Sequence, residues 1–195
     1  MRIEVTIEGI TPLLMNRFTE ETEVNLSGGH SPTIRGGRGT PREQAEKKAY
    51  KDQDGYLYLP GPNIFSCLVM AGAFHKAGRV KVTTQKSSLI PAGIAVEELV
   101  CPLGTKDWEC DSRSVVIPST GGRIMCHRPR LDKWKVIFTL QVDDGMFAPT
   151  FVRLLVDDAG KKIGLGDYRP QRKGPFGRFV VSGWSHIEEK ALAEV

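Results

Sequence analysis

From its second residue the chain alternates apolar and polar positions. Ile3, Val5 and Ile7 fall on one side of an extended backbone, and Glu4, Thr6 and Glu8 fall on the other, which predicts a first strand over Arg2 to Gly9 with one face in a core. A long stretch from Arg17 to about Lys51 then runs through Glu20, Glu21, Glu23 and the glycines 28, 29, 36, 37 and 39 with few apolar anchors, and reads as a long mobile insertion. Within it, Thr40, Pro41 and Glu43 supply an N-cap, a first-turn proline and a capping-box acid, so a short surface helix is expected over the residues up to Tyr50.

After Tyr56 to Leu59 the Pro60-Gly61-Pro62 break precedes Ile64, Cys67, Leu68, Ala71 and Phe74, whose spacing predicts a helix with one buried face over roughly Pro62 to Lys76. A strand over Ile94 to Val100 and a hairpin over Ser114 to Arg128 turning at Gly121-Gly122 are weaker expectations. Strict alternation returns at Trp134, Val136, Phe138, Leu140 and Val142, a strand. Pro149 opens a short helix carrying Phe151, Val152, Leu154, Leu155 and Val156, with Gly160 expected to stop it, and a last strand is expected over Arg178 to Trp184.

The resulting order is β, α, β, β, α, β, the split βαβ arrangement. The expected class is α+β: a modified ferredoxin-like or RRM-like antiparallel sheet with two helices on one face. The 195 residues suit one domain, with insertions at about 17–55 and 79–130.

Charge changes this picture only locally. The chain has 27 Lys and Arg against 23 Asp and Glu, a net charge of +4, so a polyanion site must come from clustering. Four cysteines without a C-x-x-C pair, no apparent signal peptide and no long apolar run suggest reduced thiols in a cytoplasmic protein with no membrane partner. Cys101, Cys110, Cys126 and His127 have spacings that fit no common zinc site, and no metal or other cofactor is expected.

The cluster lies between the second long helix and the last strand. From Lys161 to Arg178 six basic residues (Lys161, Lys162, Arg169, Arg172, Lys173 and Arg178) stand against one acid, Asp167, among the glycines Gly164, Gly166, Gly174 and Gly177. Glycines let backbone N–H groups approach phosphate oxygens, lysine and arginine neutralise charge without reading a base, and Tyr168 and Phe176 offer stacking surfaces. A solvated connecting loop is the plain alternative. A Walker loop must precede a helix whereas Gly160-Lys161-Lys162 follows one, and Gly164-x-Gly166 lacks the third glycine of a dinucleotide fingerprint.

Gly164-Leu165-Gly166 followed by Gly174-Pro175-Phe176-Gly177-Arg178-Phe179-Val180 resembles the glycine-rich loop of the RAMP superfamily of CRISPR-associated RNA-binding proteins, and Tyr58-Leu59-Pro60-Gly61-Pro62-Asn63-Ile64 is similar to the helix entry of its backbone subunits, the Cas seven group. The resemblance implies a non-catalytic subunit that grips the phosphates of a single-stranded guide RNA on its sheet face. It also implies copies of the chain stacked in a filament with other effector subunits, with a target strand as a further partner. Arg17, Arg35 and Arg38 would grip from the insertion side, and Arg128 and Arg130, in a basic stretch with Arg123, Lys133 and Lys135, would line the groove. The family's target-cutting members use an aspartate after the first strand, where this chain offers only Glu20, Glu21 and Glu23, so no catalytic residue is carried over. Two alternatives remain open: a metal-independent guide-processing endoribonuclease using His30 or His75 as general base, and a phage or mobile-element assembly protein.

Overall fold

The structure, a computed structural model, describes residues 1–18, 39–116 and 121–187. Strand β1 (Arg2–Gly9) runs through the middle of a four-stranded antiparallel sheet. Its neighbours are β10 (Lys135–Val142) and β11 (Phe179–Ile187), and β6 (Ile94–Val96) closes the far side, giving the order β11-β1-β10-β6. The alternation predicts the register: Ile3 faces Leu140, Val5 faces Phe138 and Ile7 faces Val136, so the apolar residues of the two central strands other than Ile137 fall on one side.

Two helices cover that side. Helix α2 (Gly61–Ala71) buries Ile64, Cys67, Leu68 and Ala71, and helix α4 (Pro149–Asp158) buries Val152, Leu155 and Val156, in one core with the strand residues. Helix α2 begins a residue earlier than the periodicity predicts and gives way at Gly72 to a single 3₁₀ turn. Gly160 does not stop α4. The backbone continues through a π-turn over Ala159–Ile163, in which Gly160 is buried, and the helical path ends at Gly164, whose φ of +76° breaks it.

The other face of this sheet is open and holds little positive charge. Glu4, Glu8 and Lys135 are exposed there with Ile137 and Gln141, while Arg2 is tied to Glu97 by two bonds of 2.5 and 2.6 Å. Phosphates held on the sheet face, as the resemblance implies, would meet two free carboxylates.

The segments between these elements build a second, smaller body. Strand β2 (Leu13–Leu14), the hairpin of β8 (Glu109–Val116) and β9 (Arg123–Leu131) form a three-stranded sheet in the order β2-β9-β8. The hairpin is longer than the sequence suggested, its strands pairing from Glu109 and Arg130 to Val116 and Arg123. Helix α1 (Pro41–Glu46) packs on it, and both halves of its capping box form, Glu43 N–H to Thr40 Oγ1 and Thr40 N–H to Glu43 Oε2. Strands β3 (Tyr58–Pro60) and β7 (Val100–Pro102) pair beside the entry to α2. The expected strand over 94–100 is thus two short strands in two sheets, joined where Glu98 turns its carboxylate onto the Thr139 amide at 2.8–3.0 Å. Strands β4 (Lys76–Ala77) and β5 (Val80–Lys81) make a small hairpin after α2, and a single helical turn, α3 (Ile90–Gly93), leads into β6. No helix among the described residues is long and apolar enough to cross a membrane.

Candidate nucleic-acid interface

The loop from Ile163 to Arg178 folds back on itself and against β2. Leu165 N–H donates to Gly177 O at 2.9 Å, Gly177 N–H to Pro12 O at 2.8 Å and Asp167 N–H to Leu14 O at 2.8 Å, so the loop extends the edge of the strand-turn segment that follows β1. Its glycines serve these contacts. A Cβ on Gly177 would lie 1.8 Å from Leu165 O, and one on Gly166 would lie 2.4 Å from Leu14 O, both at φ near +70°. Sequence reasoning assigned these glycines to close approach of a phosphate, yet the atoms that approach are the chain's own carbonyls. Gly164 likewise donates its N–H to Ala159 O at 2.8 Å. Among the described residues between 164 and 169, the Gly166, Tyr168 and Arg169 amides donate to no backbone carbonyl, and Tyr168 N–H donates instead to Asp167 Oδ1 at 2.8 Å.

The cationic side chains divide into two groups. Arg172, Lys173, Arg178 and Lys161 are exposed. Arg172 and Lys173 belong to a 3₁₀ turn that begins at Pro170, and Lys173 holds a left-handed φ of +60°. Arg169 is half-buried and braces the loop, donating to Gly166 O at 2.8 Å and to Gln171 Oε1 at 2.8 and 3.1 Å. Lys162 is spent on Asp158 Oδ2 at 2.7 Å and lies over the ring of Phe74.

Of the other predicted contacts, Arg17 is exposed just past β2, and Arg35 and Arg38 lie outside the described residues. Arg128 is 5 % exposed and its Nε lies 2.9 Å from Asp167 Oδ2, so it anchors the loop to β9 instead of lining a groove. Arg130 is held between Glu109 at 2.7 Å and Asp132 at 2.8 Å. Its hydrogen bond to Asp132 raises its pKa most, and the charges of Asp132, Glu109 and Asp111 add to that direction. Phe176 is buried, with the Arg113 guanidinium 4.6 Å over its ring, and offers no free stacking face. Tyr168, 40 % exposed, keeps its ring partly open beside Phe176.

The structure also joins two segments that are a hundred residues apart. The loop and the first turns of α2 form opposite walls of one cleft of ≈ 230 Å³, lined by Asn16 and Tyr50 on one side, Asn63, Ser66 and Cys67 from α2, and Gly164 to Asp167, Arg169 and Gln171 from the loop. Cys67 closes its floor. The thiol donates to Gly164 O at 3.3 Å, and burial pushes its pKa up to about 12. Asn16 Nδ2 donates to Asp167 Oδ2 at 3.0 Å, so the acid facing the cleft is held by both Asn16 and Arg128. Asn16, Asn63, Ser66 and Gln171 escaped the sequence reading because neutral side chains leave no charge signature, although Asn63 stands inside the helix entry quoted above.

Of the two histidines weighed as general bases, His30 lies outside the described residues. His75 follows the far end of α2, nine residues beyond Ser66, with its Nε2 3.1 Å from Asp158 Oδ2 and its ring edge-on to Phe151. At about 1.5 Å of rise per helical residue that places it more than ~10 Å along the axis from the cleft.

No protein-family model matches the chain, and no curated protein matches it.

Proposed function

We propose that the protein binds single-stranded RNA through its sugar-phosphate backbone, as a non-catalytic, repeating subunit of a CRISPR-type ribonucleoprotein. We read its larger sheet as a ferredoxin-like one: β1, α2, β6, β10, α4 and β11 follow the split βαβ order, the two strands flanked by helix connections are central or adjacent, and every neighbouring pair is antiparallel. The observation that carries the functional reading is the shared cleft. The glycine-rich loop and the proline-glycine helix entry are the two segments on which the resemblance rests, and they meet across one polar groove with exposed Arg172 and Lys173 beside it.

The strand belongs along this groove and not on the open sheet face, where Glu4 and Glu8 would repel it. Arg172, Lys173 and Arg178 supply cations from the loop and Arg17 supplies one from the β2 side, next to cleft-lining Asn16. Contacts of this kind neutralise phosphates without reading sequence. Purification followed by identification of any co-purifying nucleic acid, with titration of single-stranded RNA at several salt concentrations, tests the reading. Binding that weakens steeply with salt and varies little with sequence is expected, and a nucleic-acid-free protein with no affinity for oligonucleotides would overturn it.

A further inference from the structure

The four cysteines stand in three kinds of surroundings. Cys67 and Cys101 are enclosed by the core, where burial pushes their thiols up to about 12 and about 11. Cys110, half-buried on β8, meets oxygen: the Pro41 carbonyl at 3.6 Å and the Ser112 hydroxyl at 3.8 Å. Cys126, half-buried on β9, meets nitrogen, with the Lys48 Nζ donating to its Sγ at 3.1 Å.

Backbone bonds hold both members of that pair. Lys48 follows α1, where its N–H donates to Ala45 O and its carbonyl accepts from Arg17 N–H, each at 2.9 Å. Cys126 sits in the β8-β9 ladder opposite Arg113, whose guanidinium is turned away to Asp111 at 2.8 and 2.9 Å.

Peroxide oxidises an accessible thiol to a sulfenic acid, whose sulfur is then open to attack by a neighbouring thiol or nitrogen. No second thiol of this fold can reach Cys126. Cys110 lies opposite Pro129, three residues along β9 from Cys126, so alternation puts the two cysteines on opposite faces of the hairpin and about 10 Å apart. That exceeds the roughly 7 Å between Cα atoms that a disulfide spans. Cys67 and Cys101 are shut inside the core. The nitrogen already at the sulfur is Lys48 Nζ, at the end of a flexible four-carbon stem.

We propose that Lys48 and Cys126 form an oxidative modification site, which hydrogen peroxide converts into a covalent sulfenamide bridge between the end of α1 and β9. Peroxide first transfers one oxygen to the Cys126 sulfur, giving the sulfenic acid and water. The unprotonated Lys48 amine then attacks that sulfur: the S–N bond forms, the S–O bond breaks, and hydroxide departs with an amine proton as a second water. The sulfur loses two electrons, and the peroxide gains them. A small thiol reverses the bridge by attacking the sulfur and releasing the amine. Because Lys48 O also holds the Arg17 amide, the bridge fastens β9, the end of α1 and the chain just past β2 to one another. None of this depends on RNA.

The test treats the full chain with hydrogen peroxide, digests it and weighs the peptides. A linked pair containing Lys48 and Cys126 is expected, lighter by two hydrogens than the sum of the reduced peptides and lost on adding dithiothreitol. The bridged protein should melt at a higher temperature than the reduced one, since the cross-link restricts the unfolded chain. Cys110 in the same sample should be oxidised without gaining a linked amine. Lys48→Arg keeps a cation beside the sulfur and removes the nucleophilic amine, so Cys126 should pass on to the sulfinic acid, heavier by two oxygens. The linked peptide is sought in the unmodified protein, so a folding defect in Lys48→Arg cannot hide the answer. Recovery of Cys126 from the unmodified protein as thiol or sulfinic acid, with Lys48 unlinked, overturns the site and leaves the RNA-binding reading untouched.

Discussion

Gly177 shows how a single residue can be fixed by the fold it permits. Its φ of +69° and the Leu165 carbonyl 1.8 Å from any added Cβ mean that Gly177→Val must both strain the backbone and displace the loop's own hydrogen bond. A loss of roughly 2–4 kcal/mol is expected, combining left-handed strain with overpacking. Urea denaturation measures it. A stable Gly177→Val protein that has lost RNA affinity would show that the space is needed by ligand and not by Leu165. Cys67 gives a second residue-scale expectation. Its folded pKa, raised from about 9 to about 12 by burial, means the native state keeps a proton that the unfolded chain releases. Stability is therefore unaffected below pH 9 and falls as pH rises from about 9 toward 12. Denaturant midpoints over that window should decline in the unmodified protein and decline less steeply in Cys67→Ala, where the Cys67 contribution is gone. Equal slopes would mean that Cys67 is not shielded as its burial implies.

At the scale of elements, one ion pair reinforces the joint between the two sheets. Arg128 on β9 reaches Asp167 in the loop at 2.9 Å, and Asp167 N–H in turn donates to Leu14 O, so the smaller sheet, β2 and the loop share a single junction. Arg128→Met keeps the volume but leaves the Asp167 carboxylate with only the neutral Asn16 amide and Tyr168 N–H as partners among the described residues. Because Asp167 is partly solvated the cost is modest, roughly 1–3 kcal/mol, and it should be local. Hydrogen exchange at Asp167, Leu165 and Gly177 should accelerate while β1 and β10 remain protected; uniform acceleration would mean the junction is not separable from the core. This junction also marks where the sequence stopped being legible. The strands β1 and β10 and the helices α2 and α4 were readable because their apolar residues repeat with period 2 or 3.6 against one core. The basic loop was readable as a cluster of charge, but not its conformation, because whether Gly166 and Gly177 face ligand or Leu14 and Leu165 depends on tertiary contacts that leave no periodic trace. Arg128 read as a surface cation for the same reason: its partner is thirty-nine residues away. Gly160 read as a helix stop because local propensity favours one, whereas packing carries the backbone on to Gly164.

For the whole molecule, the question is which face meets the polyanion. The net charge of +4 is too small to attract RNA from all sides, and the exposed Arg17, Arg172 and Lys173 adjoin cleft-lining residues, while the open sheet face presents Glu4 and Glu8. Replacing Arg172, Lys173 and Arg178 together by alanine removes three exposed cations that hold no structural ion pair. For single strands each neutralised phosphate contributes about 0.7 to the slope of log affinity against log salt, so the triple variant should lose about 2 from that slope and weaken for every RNA sequence alike. Arg169→Ala behaves differently, because its guanidinium holds Gly166 O and Gln171: it should loosen the cleft and lower thermal stability more than it changes the slope. Lys135→Ala on the open sheet face completes the comparison, since a strand lying in the groove never meets Lys135. An altered slope in Lys135→Ala, together with an unaltered one in the triple variant, would move the binding face to the sheet and detach the glycine-rich loop from RNA altogether.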